Sequence, residues 1–155
     1  MNSTFMEEAI RLAVRNVDEG QGGPFAAIVV KDGEIVATGT NSVTTTNDPT
    51  AHAEIVALRS ACRILGTFQL DGCEIYTTCE PCPMCLGAIY WARPDAIYYC
   101  NTRQDAAAAG FDDEMIYREL ATPVAERSIK MVQLFETAAT APFDAWRAAE
   151  GRVDY

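Results

Sequence analysis

The sequence predicts an α/β fold, a mixed five-stranded sheet held between helix layers in a three-layer α/β/α arrangement. Three observations predict it. Stretches with apolar residues at helical spacing alternate with short β-branched runs, in the order α-β-β-α-β-α-β-α-β-α. No composition break or repeat divides the 155 residues, so a single domain over 1–155 is expected. Apolar residues make up 49% of the chain, enough for one sizeable core.

Thr4-x-x-Glu7 reads as a capping box, followed by Met6, Ala9, Ile10, Ala13, Val14 and Val17 on one helix face, with Gly20 as the stop. Gly20 to Pro24 leads into a strand rather than a helix, so it reads as a plain connection and not a phosphate loop. Phe25 to Lys31 is a β-branched, apolar strand, Asp32-Gly33 a tight hairpin turn, and Glu34 to Thr40 the returning strand. Asp48-Pro49 opens a helix from about Ala51 to Leu65, which Gly66 closes. Glu74 to Thr78 reads as a strand, Pro83 to Ala92 as a helix and Ala96 to Cys100 as a strand. Two shorter helices follow between Gln104 and Leu120. Ile129 to Phe135 alternates like a fifth strand, and Pro142 to Glu150 is helical, with Phe143 and Trp146 expected to bury one face.

Charge excludes one class of partner. There are 22 acidic residues against 12 basic ones, a net charge of −10, and the only lysines are Lys31 and Lys130. A nucleic-acid binder lines cations against phosphates, and here the arginines are scattered singly. A small, near-neutral substrate is expected instead. No apolar run approaches the roughly 20 residues that span a bilayer, so no membrane partner is expected. The first residues lack the basic start and apolar run of a secretion signal. Six cysteines without such a signal point to a reducing compartment, with the cytoplasm as default.

The chemistry is concentrated in Thr50-Ala51-His52-Ala53-Glu54 and Cys79-Glu80-Pro81-Cys82-Pro83-Met84-Cys85, and His52 is the only histidine. A catalytic zinc takes three protein ligands plus a water, and His52, Cys82 and Cys85 supply that count, one zinc per chain. Cys82 and Cys85 lie three apart across a first helical turn, so both sulfurs converge on one point. The positive end of the helix favours the thiolate form that metals bind. His52 and Glu54, two apart at another helix start, both lean toward its N-terminus and so reach the same metal. A histidine, a glutamate two residues on, and Pro-Cys-x-x-Cys further along form the pattern of zinc deaminases, with the glutamate as acid/base rather than ligand. The bland alternative is a closed structural site that adds Cys79. A domain of this length does not need a metal to fold, and a closed site would leave Glu54 beside it without a task. Cys62, Cys73 and Cys100 lie in apolar stretches and read as core thiols.

These residues resemble the cytidine-deaminase-like superfamily, and most closely the bacterial guanine deaminases. The resemblance runs through Gly23-Pro24-Phe25, Lys31 to Glu34, Asn47 to Glu54, Cys79 to Pro94, Ala109 to Asp113, Pro142-Phe143-x-x-Trp146 and Tyr155. It implies hydrolytic deamination of guanine to xanthine and ammonia, with Glu54 and Asp113 as catalytic residues. It also implies that Phe25 and Trp91 stack on the base, that Asn41 and Tyr155 hydrogen-bond its polar edge, and that a homodimer swaps its C-terminal segment, about 137–155. One departure is Ala26, where that family is expected to carry glycine; the extra methyl would tighten the substrate-facing strand. On the residues alone, Phe25 and Trp91 also read as core aromatics, Asp112-Asp113-Glu114 as a solvated helix start, and Tyr155 as a loose tail.

The rivals are a deaminase of guanosine, cytosine or tRNA adenosine, and a zinc-stabilised binding protein without activity. The tRNA reading requires a basic face that this composition lacks. Gel-shift titration with tRNA at physiological salt is expected to show no binding; saturable, salt-sensitive binding would restore that rival.

Overall fold

In a computed structural model, which describes residues 2–135 and 139–155, β1 (Ala26–Lys31) is buried on both faces, which is why it reads as an unbroken apolar run. It pairs antiparallel with β2 (Glu34–Thr40) on one side and with β3 (Cys73–Cys79) on the other, and β4 (Ala96–Asn101) lies parallel to β3. The order is β2-β1-β3-β4. The β1–β2 hairpin turns at Asp32 and Gly33, both at positive φ as a type I′ turn requires.

Alternation along β1 sorts the core into two layers. Ala27 and Val29 pack with Ala53, Ala57, Leu58 and Ala61 of α3 (Ala53–Leu65) and Ile89 and Ala92 of α4 (Pro83–Ala92). Ala26, Ile28 and Val30 pack on the opposite face with Ala9, Leu12 and Ala13 of α1 (Ser3–Asp18). Two features lie outside these layers: a single turn, α2 (Val43–Thr46), which the threonine run gave no reason to expect, and α5 (Arg103–Ala108), opened by a Thr102/Asp105 capping box.

The described chain divides into two compact units, one ending at Asp113 and one beginning at Glu114. The second holds α6 (Glu114–Ala121), a 3₁₀ turn at Val124–Glu126 and α7 (Ala141–Ala148).

The structure corrects several expectations. The sheet has four strands, not five, because Ile129–Phe135 forms no ladder among the described residues. Alternation identifies side chains suited to burial but supplies no partner edge, and Ile129 and Phe135 remain exposed. The capping box at Thr4 and Glu7 is replaced by Asn2, whose side chain accepts the Thr4 N–H at 3.1 Å and starts the helix earlier. Cys73 is buried and Cys62 half-buried as core thiols should be, but Cys100 is exposed, since β4 is an edge strand open to solvent toward its end. Phe143 and Trp146 are exposed and α7 buries no residue. Residue 137, where the swapped segment was expected to begin, lies outside the described residues.

One contact fixes where α3 begins. A Cβ on Gly39 of β2 would lie 2.3 Å from the Ala53 carbonyl oxygen and 2.4 Å from the Ala57 nitrogen, so only glycine lets the first turn of α3 settle on the sheet. Overpacking of this kind costs about 1–3 kcal/mol. Gly39→Ala is therefore expected to lower stability by about that amount and to weaken zinc binding, measured by thermal denaturation and by competition with a chromophoric chelator. Unchanged values for both would show that α3 is placed by other contacts.

Candidate metal centre and active site

His52 and Cys82 occupy equivalent positions, each the N-cap of a helix with extended backbone, and neither side chain caps its own helix. Their side chains are thereby released to point past the helix ends, and Cys85 joins them from the first turn of α4. The Nδ1 of His52 lies 3.6 Å from the Cys82 sulfur and 3.5 Å from the Cys85 sulfur. The three ligand atoms all fall within 4.8 Å of one another. A tetrahedral zinc with ordinary Zn–N and Zn–S bonds places nitrogen and sulfur ligands about 3.6 Å apart, so the set fits that metal. Among the described residues this is the only such group.

Cys79 does not join it. Its thiol donates to the Thr102 carbonyl at 3.6 Å, and burial first, then the charge of Glu54, pushes its pKa up to about 11. It remains a neutral thiol, which leaves three protein ligands and an open fourth position.

Burial and thiol coupling set the electrostatics. Without a metal, Cys82 and Cys85 share one proton: the hydrogen bond from Cys85 holds Cys82 down to about 4, while Cys85, as its donor, is pushed upward. The hydrogen bond to Cys82 raises His52. Glu54 is 7% exposed, and its carboxylate lies 3.5 Å from the Cys85 sulfur. Desolvation raises its pKa first, with the Cys82 charge adding to the effect. Asp113, half-buried, is also raised, first by burial and then by the Cys82 thiolate. Five of the expected residues, His52, Cys82, Cys85, Glu54 and Asp113, thus act on one another.

The remaining expected residues take different positions. Phe25 is partly buried against the α3/α4 core and meets Phe111 edge-on at 4.9 Å between ring centroids. Asn41 is buried at the end of β2, and its side-chain oxygen accepts the N–H groups of Gly23 and Val43, both at 3.3 Å. Trp91 is 62% exposed and sits nine residues beyond Cys82 on α4, about 13 Å along the helix axis from the ligand end. Tyr155 is exposed. Ala26 is fully buried among the α1 residues, so its methyl faces away from the α3/α4 side that carries the metal ligands.

Sequence reasoning missed two supports. The Glu80 N–H donates to the Asn101 carbonyl at 2.8 Å, and its carboxylate accepts the Arg103 N–H at 3.2 Å, which ties the ligand loop to the start of α5. Asn16 donates to the carbonyls of Gly23 and Asn41, both at 2.9 Å. Its signal was present in the sequence, as a polar residue three past Ala13, four past Leu12 and seven past Ala9, in the same buried stripe.

Comparison with known proteins fits this geometry. Residues 1–101 match the family described as the cytidine and deoxycytidylate deaminase zinc-binding region. The chain is 54% identical to guanine deaminase of Bacillus subtilis (strain 168) over 154 residues, covering 99% of each. The X-ray structure of the guanine deaminase from Bacillus subtilis superposes with a TM-score of 0.97 at 55% identity, covering 100% of this chain and 99% of that one. The guanine deaminase from Nitrosomonas europaea is more distant, with a TM-score of 0.69 and 37% identity over 73% of this chain and 65% of its own. A tRNA-specific adenosine deaminase of Aquifex aeolicus is 45% identical over 95 residues, 61% of this chain and 62% of its own. With the zinc ligand set in place and whole-length similarity on one branch, the chain belongs to the zinc-dependent cytidine and deoxycytidylate deaminase family, among the bacterial guanine deaminases.

Proposed function

We propose that this protein hydrolyses guanine to xanthine and ammonia. One observation carries the choice of substrate: similarity to a guanine deaminase extends over 99% of both chains, whereas the matched tRNA-specific adenosine deaminase aligns over only 61% of this chain. The acidic charge balance agrees with a small base rather than a polynucleotide.

A zinc held by His52, Cys82 and Cys85 would supply Lewis acidity, lowering the pKa of a water in the open position. Glu54 would take a proton from the attacking water and hand it to a ring nitrogen, which makes the purine C2 electrophilic as the water oxygen bonds to it. Its burial suits this work, since a carboxylate with a raised pKa holds a proton long enough to return it. Asp113 would accept hydrogen bonds from the amino group and relay a proton to it, so that the C2–N bond breaks and the group leaves as ammonia. Phe25 stacks on the base, and Asn41 and Tyr155 bind its polar edge.

The working assembly is a homodimer that exchanges C-terminal segments. Three features support it: Trp91 lies a helix length from its own ligands and suits a neighbour's pocket, β4 pairs with β3 alone among the described residues, and the apolar side chains of Ile129 to Phe135 are exposed. Among the described residues no helix is long and apolar enough to cross a membrane. The cysteines are free thiols, as a reducing, cytoplasmic setting would keep them.

Zinc-loaded Glu54→Gln is expected to keep its metal and lose ~10²–10⁴-fold in turnover, read by ammonia release from guanine. Loss of zinc with activity per metal retained would make Glu54 a ligand. In metal-stripped protein the same variant reports the raised pKa. The contribution of Glu54 is fully present below its ordinary value of 4.5 and lost as pH rises through the raised one. Glu54→Gln should therefore gain on wild type in denaturant titrations as pH climbs from 4.5 toward neutrality. A gap that does not vary with pH contradicts the shift.

Swapping has its own test. A chain lacking Arg152 to Tyr155 and a Glu54→Gln chain are each expected to be inactive, while subunit exchange between them restores one complete site and recovers activity. Confirmed exchange without recovery means that the arm closes its own pocket.

A further inference from the structure

Asn16 is the polar member of the buried stripe of α1, 4% exposed beside Ala9, Leu12 and Ala13. Its side-chain nitrogen donates to two backbone carbonyls, of Gly23 and of Asn41, each at 2.9 Å. Its own carbonyl accepts the Gln21 N–H at 2.9 Å. The end of α1, the loop before β1 and the end of β2 are therefore held by one residue. The loop is pressed against this junction: a Cβ on Gly22 would lie 2.0 Å from the Asn41 carbonyl oxygen and 3.3 Å from the Asn16 side-chain nitrogen.

The clamp fixes the polarity of the neighbouring amide. The Asn41 side-chain oxygen accepts two N–H groups, from Gly23 and Val43, which only an oxygen can do, so the orientation of the amide is determined. One of these donors, Gly23, is the residue whose carbonyl Asn16 holds. The Asn41 side-chain nitrogen has no protein partner among the described residues, and since no buried side-chain nitrogen lacks one, it is open to solvent.

We propose that Asn16 is a positioning residue for base binding: by clamping Gly23 and Asn41 it presents the Asn41 amide as a fixed hydrogen-bond donor, which selects bases with an acceptor, a ring carbonyl, at that place. The proposal rests on the reading of Asn41 as a substrate-binding residue. A base with a donor there would meet N–H against N–H and leave both unpaired, which is the source of discrimination.

The experiment compares Asn16→Ala, and Asn16→Asp in case the first fails to fold, with wild type as zinc-loaded full-length protein. Asn16→Asp keeps the shape and replaces both N–H donors by an acceptor facing two carbonyls. Native-state hydrogen exchange by NMR reads the clamp without reference to activity. Exchange at the Gly23 and Val43 amides is expected to accelerate by about tenfold or more, the scale of one lost buried hydrogen bond, while Ile28 and Tyr76 in the sheet stay protected. Kinetics read the consequence: KM for guanine should rise about tenfold with kcat and zinc content little changed. In an Asn41→Ala background the same Asn16 substitution should add less than about twofold, because residues acting as a unit are not additive. Unchanged exchange at Gly23 and Val43 overturns the proposal, and so does a KM effect of full size in the Asn41→Ala background, since that describes general destabilisation. If wild type releases no ammonia from guanine, the substrate reading fails by itself and the exchange measurement still decides the clamp.

Discussion

The rest of the structure depends on two helix N-termini meeting at one point. α3 and α4 each open with a residue of the candidate metal site at the N-cap, His52 and Cys82, and each forgoes the side-chain cap that would stabilise the helix alone. The positive ends of both helices then face the same small volume. This costs repulsion in a bare site and favours thiolates and a coordinated cation that together balance it. Pro83 suits this arrangement, because a proline in the first turn gives up an N–H that had no helical partner. The approach is set from below by Gly39, which lets α3 lie directly on β2, and from the side by Glu80, which holds the Cys79–Cys82 loop to the start of α5.

That geometry explains why the two carboxylates near the metal differ. Glu54 follows the ligand His52 by two residues on α3 and is carried into the core with Ala53 and Ile55, so burial dominates its proton affinity. Asp113 comes after α5 on a more open segment, and burial first, then the Cys82 charge, raises its proton affinity. In the proposed reaction, a deeply buried, proton-retaining carboxyl at Glu54 and a more accessible one at Asp113 would suit moving protons in sequence.

The metal centre was legible in the sequence because it is local. Helical spacing brings Cys82 and Cys85 together, and the leaning of first-turn side chains brings His52 and Glu54 to the same end, so the pattern required little knowledge of the fold. The hairpin at Asp32-Gly33 and the α4 span were legible for the same reason. What depended on distant partners was not. Ile129 to Phe135 carries the alternation of a strand but joins no ladder among the described residues, and Cys100 looks apolar in context yet lies on an open strand. Trp91 was placed in the pocket by resemblance, while helix length sets it far from the ligands of its own chain. Asn16 had a signal, a polar residue at a buried helical position, but its meaning required the two carbonyls that only the tertiary fold brings to it.

The central claim is that the site is open, with two sulfurs and one nitrogen from the protein and a fourth position left for water. Zinc K-edge absorption fine structure of the loaded protein tests it most directly. The account predicts two sulfur scatterers at about 2.3 Å and two nitrogen or oxygen scatterers at about 2.0 Å. Three sulfurs at about 2.3 Å, the third from Cys79, would mean a closed structural zinc and would contradict the account.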